Sequence, residues 1–237
     1  MNTIFTNFLR GFSGFVLLVI NSVSGAYEEP ALIKPNQAAV ATAHPLATEA
    51  ALEILAQGGN AFDAAVAATA ALAVVEPQSS GLGGGGFYLL QHAKDKSSVM
   101  LDAREKAPLA AHANMYLSAK GEVNRHLSMN GALAAGIPGV PAALEHLASS
   151  RGVLSLSKSL APAIKLAKEG FITDKRNSQM LKFRLAAIKA SPAASNIFLQ
   201  DGQVPDAGVL LKQTDLAQTL QIIAEQGAAG FLSLIHI

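Results

Sequence analysis

Apolar residues recur with two different periods along the chain, and the change of period marks out its elements. Over residues 46–57, Leu52, Ile54 and Leu55 lie opposite Glu49 and Glu53, the spacing of an amphipathic helix. Gly58-Gly59 would stop it. Asn60 can cap a second helix, and Asp63, three residues on, sits where a first-turn acid is favourable. That helix, 61–75, is almost wholly small and apolar, which predicts burial and close packing on a sheet, and it should end before Pro77. Residues 87–92 and 98–103 carry strand patterns on either side of a Lys94-Asp95-Lys96 turn, so a hairpin is expected. A further short strand is expected at 38–43. From residue 141 the texture is helical, with segments at 141–149, 156–168, 174–189 and 214–226 and a loop over 191–208.

The amino-terminal stretch differs from everything after it. Arg10 is the one charged side chain in the first 26 residues, 12–23 is nearly all apolar, and Ser24-Gly25-Ala26 offers small residues at a signal peptidase's two inspection positions. The pattern predicts a secretory signal at 1–26, cleaved after Ala26, and a linker at 27–37. An uncleaved anchor is the alternative, but the apolar run is short for a span of roughly 20 residues. No later stretch is long and apolar enough to cross a bilayer.

Composition removes several function classes. The 237 residues are half apolar and 15% charged, a globular composition. There is no cysteine, so disulfides and thiolate metal sites are excluded. The net charge is +1, and without Arg10 the basic and acidic residues balance. With no basic block and no tryptophan, a nucleic-acid surface is not indicated.

Candidate chemistry begins with the stretch 79–90, SSGLGGGGFYLL. Gly81, Gly83 and Gly86 spell G-x-G-x-x-G, and Asp102 follows at about the distance of a ribose-binding acid. A dinucleotide loop needs a strand before the glycines and a helix after them. Here the order is reversed, so nucleotide binding is not expected. The glycines fit a different need, the close approach of two backbones entering a strand. Arg104, in Leu101-Asp102-Ala103-Arg104-Glu105-Lys106-Ala107-Pro108, ends a strand where a guanidinium can offer a planar fork to a carboxylate. From this stretch alone, a surface ion pair with Asp102 or Glu105 is the simpler assignment. The six histidines, His44, His92, His112, His126, His146 and His236, lack ligand spacing, and neither G-x-S-x-G nor H-E-x-x-H occurs in the chain after the signal. Gly136-Ile137-Pro138-Gly139 is expected to be a turn.

Taken together, these stretches resemble the amino-terminal part of the γ-glutamyltranspeptidases, or glutathione hydrolases. The resemblance runs through His44-Pro45-Leu46-Ala47-Thr48, Gly58-Gly59-Asn60-Ala61-Phe62-Asp63-Ala64-Ala65, and Glu76-Pro77 onward to GLGGGGF at 81–87. It continues through Asp102 to Pro108, Gly136-Ile137-Pro138-Gly139, 161–170 and Asp215-Leu216-Ala217, covering 38–231 in order. The resemblance implies an α+β fold, the four-layer αββα sandwich of N-terminal-nucleophile hydrolases, present only as an incomplete portion of the large subunit. It implies a precursor that cuts itself, a small subunit whose new terminal threonine attacks the γ-glutamyl amide, and transfer to water, amino acids or peptides. It implies no metal or organic cofactor. It also carries the arginine that binds the α-carboxylate of the γ-glutamyl group onto Arg104, reversing the ion-pair assignment.

Residues 232–237 depart from the family pattern and look like a tail on a truncated sequence. The catalytic threonine is then missing. Thr42-Ala43-His44 faintly matches the processing site but already belongs to another block. Residues 27–237 alone would be inactive, and would aggregate because the Ala-rich helix and the sheet edges lack cover. An acylase for glutaryl or cephalosporin side chains, or a non-catalytic exported binding protein, are the competing readings.

Overall fold

The computed structural model describes residues 38–233. The expected signal and linker, and residues 234–237 of the expected tail, lie outside the described residues. Helix α1 (Pro45–Ala56) and helix α2 (Ala61–Val75) are the first elements along the described chain. His44 caps α1, its Nδ1 accepting the Leu46 N–H at 3.2 Å. Gly58, at φ +89°, makes the left-handed turn that ends α1. The expected strand at 38–43 is absent. There Thr42 instead accompanies the start of α1, donating its hydroxyl hydrogen bond to the His44 carbonyl at 2.8 Å and lying 2.8 Å from the Thr48 hydroxyl.

Strands β1 (Phe87–His92) and β2 (Ser97–Asp102) form the expected antiparallel hairpin, with Leu89 opposite Met100 and Phe87 opposite Asp102. A short helix α3 (Arg125–Met129) follows in the loop region, then α4 (Val140–Ser150) and α5 (Leu156–Glu169). Strand β3 (Phe171–Ile172), helix α6 (Lys175–Lys189), helix α7 (Pro192–Phe198), strand β4 (Leu210–Leu211), helix α8 (Thr214–Gln226) and helix α9 (Ala229–Leu232) complete the order. Strands β3 and β4 pair antiparallel. The expected loop over 191–208 therefore contains α7. Ser191 starts it by accepting the Ala194 N–H, with Pro192 at the first helical position.

The core lies around α2. It packs against α1, α4 and α5, and α5 packs against α8. Of its fifteen residues only Ala61 is exposed. The Ala-rich helix is thus covered within this chain, contrary to expectation. Small side chains let α1, α4 and α5 approach it closely enough to enclose it. Leu90 joins this core from β1, with Tyr88 and Leu101 packed beside it. At the other end of α2, the Gln213 amide donates to the Val74 carbonyl at 2.7 Å, satisfying a helix-terminal acceptor.

Asp63 shows why the G-G-N-A-x-D block has its form. Asn60 and Asp63 make a capping box, with Asp63 Oδ2 accepting the Asn60 N–H at 2.9 Å. The same buried carboxylate accepts the N–H groups of Val153 and Leu154 at 3.0 and 3.3 Å. The Asn60 amide donates to the Arg151 carbonyl at 2.7 Å. One cap therefore pins the α4–α5 turn to the start of α2.

Candidate functional site

Three stretches that are far apart in sequence meet around residues 103–106. The hairpin continues past β2, where Ala103 and Gly86 exchange N–H···O bonds of 3.0 and 3.1 Å. Lys106 and Ile137 exchange another pair of 3.0 and 2.8 Å, forming an antiparallel bridge. The ring closes through the Gly84 carbonyl, which accepts the N–H groups of Gly139 and Val140 at 3.1 and 3.2 Å. Gly136 to Gly139 is therefore a paired segment leading into α4, not the isolated turn expected from sequence.

The glycines are what allow this approach. A Cβ on Gly85 would stand 2.7 Å from the Ala103 oxygen and the Glu105 nitrogen. One on Gly136 would lie 2.9 Å from Glu105 Cβ, and one on Gly139 would overlap the Ala103 carbonyl outright. Gly83 and Gly86 face open space. The run after α2 thus serves close backbone contact and enters a strand, the opposite of a dinucleotide loop.

The side chains along 102–106 alternate between two sides of this ribbon. Asp102, Arg104 and Lys106 line a cleft of about 500 Å³ together with Pro138, Ala142 and His146. Glu105 faces away, toward Gly84 and Gly85, in a cleft of about 550 Å³ that also takes Thr69, Ser79, Ser80 and Tyr88. Burial pushes the Tyr88 phenol above its ordinary pKa, with Thr69 beside it lowering it in part. Arg104 also borders a third cleft, of about 390 Å³, which Glu105 and Lys106 line as well, with Pro108, Met115 and Tyr116.

The electrostatics around Arg104 are one-sided. Asp102 Oδ1 accepts the Arg104 backbone N–H at 2.9 Å, which fixes the exit of the strand. Among the described residues no carboxylate lies within 4.0 Å of the Arg104 guanidinium; the ion pairs are His92–Asp95, Arg176–Glu76 and Lys182–Asp206. The surface pair with Asp102 or Glu105 does not form. A planar, permanently charged fork with no internal acid can accept a carboxylate bidentately. Among the described residues no group of three His, Asp or Glu side chains could hold a metal ion.

Sequence reasoning singled out Arg104, gave Lys106 no role and read Gly139 only as part of a turn. Strand alternation places residues two apart on one side, so the Arg104–Lys106 relation was available from the spacing alone. The contact of Gly139 with Ala103 was not, because it joins residues 36 apart along the chain.

Residues 47–233 match the gamma-glutamyltranspeptidase family model. The glutathione hydrolase proenzyme of Pseudomonas sp. (strain A14) is 42% identical over 193 residues, 81% of this chain and 33% of that protein. That of Escherichia coli (strain K12) is 37% identical over 200 residues, 84% of this chain and 34% of that protein. The chain thus spans about a third of the length of the curated relatives it matches. The crystal structure of Helicobacter pylori gamma-glutamyltranspeptidase superposes with a TM-score of 0.80 at 41% identity, covering 84% of this chain and 57% of that one. The cephalosporin acylase of Bacillus halodurans gives 0.69 at 28% identity, covering 86% and 40%. These neighbours share the mixed helix and sheet content expected of the α+β class. The chain belongs to the γ-glutamyltranspeptidase family.

Proposed function

We propose that this chain is part of an exported enzyme that transfers γ-glutamyl groups from glutathione and similar compounds to water, amino acids or peptides. In this proposal Arg104 holds the donor's α-carboxylate. The observation that carries it is the guanidinium of Arg104 set in a cleft, without an acid partner among the described residues, on backbone hydrogen-bonded on both sides. Family membership and the glutathione hydrolase proenzyme names of the relatives support the reaction class. The signal pattern at 1–26 supports export. Among the described residues no helix is long and apolar enough to cross a membrane.

The attacking group is a threonine hydroxyl at the start of the small subunit, cut from the same precursor. Its own free amine takes the hydroxyl proton and needs no histidine. The oxygen bonds to the γ-carbonyl carbon, the amide C–N bond breaks, and the proton passes to the leaving amine. Water or an acceptor amine then cleaves the resulting ester. Arg104 fixes the α-carboxylate so that the γ-carbonyl is presented in one orientation. No residue of 38–233 is assigned as nucleophile.

The acylase reading draws on the cephalosporin acylase neighbour, and both donor types carry a carboxylate. The donor that the complete protein hydrolyses separates the two. Arg104 is exposed in this chain; with the donor and the small subunit closing over it in the complete enzyme, loss of the pair costs roughly 3–5 kcal/mol, so Arg104→Ala should lower kcat/KM on a γ-glutamyl anilide by about 150- to 5000-fold. Arg104→Lys, which keeps the charge and loses the fork, should fall between. Near-parental efficiency in Arg104→Ala would remove the assignment.

A further inference from the structure

We infer that Lys106 is a second anion contact of the donor site and recognises the carboxylate at the far end of a γ-glutamyl peptide. The inference rests on the proposed function. Lys106 stands two residues beyond Arg104 and lines the same cleft, about 7 Å further along an extended backbone. Its N–H and carbonyl are both bonded to Ile137, so the base of the side chain is fixed as firmly as that of Arg104. Among the described residues no carboxylate lies within 4.0 Å of its ammonium. Asp102, the one acid lining the cleft among the described residues, has its Oδ1 on the Arg104 N–H. The Glu105 carboxylate points to Gly84 and Gly85, although Glu105 also borders the third cleft beside Arg104 and Lys106. The result is a cleft with two cations in series, neither paired with an acid among the described residues.

Such an arrangement suits a ligand with two carboxylates separated by a short chain. Glutathione is one, with an α-carboxylate on its γ-glutamyl end and another on its glycine. The guanidinium fork suits the carboxylate that must be held in one orientation for reaction. The flexible four-carbon stem of lysine suits the distal carboxylate, whose distance varies with the peptide. Lys106 then sets donor preference, favouring peptides with a free terminal carboxylate over neutral leaving groups.

The test uses the complete precursor after processing, with glutathione and a γ-glutamyl anilide as donors. Replacing Lys106 by Met should lower the ratio of kcat/KM for glutathione to that for the anilide by about tenfold, through KM more than kcat. Lys106→Arg should restore most of the ratio, because it returns a cation to the same stem. An unchanged ratio in Lys106→Met would overturn the inference while leaving the proposed function intact. A parent protein active on neither donor would overturn both. Failure of Lys106→Arg to recover any preference would also overturn it, since charge is the property claimed.

Discussion

Asp63 is fully buried and has no cation within 4.0 Å among the described residues, yet it accepts three backbone N–H groups. Asp63→Ala would leave those donors unpaired in the interior, so the complete protein should lose about 3 kcal/mol or more of stability in denaturant titration. Asp63→Asn keeps an acceptor oxygen and should lose less. From sequence, Asp63 was legible as a first-turn acid in a family block; its bonds to Val153 and Leu154 join residues 90 and 91 apart and leave no local trace. Asp95 behaves differently. The Ser97 hydroxyl and N–H, with His92 beside them, hold its exposed carboxyl down to about 2. A depressed acid stabilises the folded form above its ordinary value near 3.8, and that contribution is lost as the pH falls toward 2. Carboxyl NMR of the folded protein should place the Asp95 midpoint well below those of unpaired aspartates, and Ser97→Ala should raise it.

The ribbon that carries Arg104 is built by elements whose existence was legible and whose meeting was not. Helix and hairpin boundaries follow from periodicity and punctuation: Asn60, Gly58 and Pro77 stand where α1 and α2 begin or end. The helix at 192–198 was hidden because its seven residues are too few to show a period, and Ser191 and Pro192 were the available start signals. Gly136 to Gly139 looked like a turn because its partner, Lys106, is distant in sequence. The four-glycine run offers a sharp test of how these elements touch. Gly85→Ala places a methyl against the Ala103 oxygen and the Glu105 nitrogen, while Gly86→Ala enters open space at an ordinary φ. The first should cost about 1–3 kcal/mol by overpacking and reduce activity by displacing Arg104. The second should be close to neutral in thermal melts. Equal effects would mean that backbone approach is not what the run provides.

At the scale of the whole molecule, the chain encloses its Ala-rich helix but leaves one face of the hairpin bare. Phe87, Leu89 and Met100 are 59%, 75% and 60% exposed on the side away from α2. Each is apolar, and together they form a patch next to unpaired strand edges among the described residues. Residues 38–233 expressed alone should therefore self-associate through the hairpin and not through α2. Light scattering should show association falling in a Leu89→Lys, Met100→Glu pair, whereas a monodisperse parent would oppose this. The central claim, a carboxylate held by Arg104, is tested most directly by removing each partner in turn from the complete enzyme. Arg104→Ala and its parent are compared on a γ-glutamyl anilide and on the 4-aminobutyryl anilide that lacks the α-carboxylate. A direct grip requires the substitution to cost about 150- to 5000-fold on the first donor and little on the second. Equal losses on both donors would contradict it.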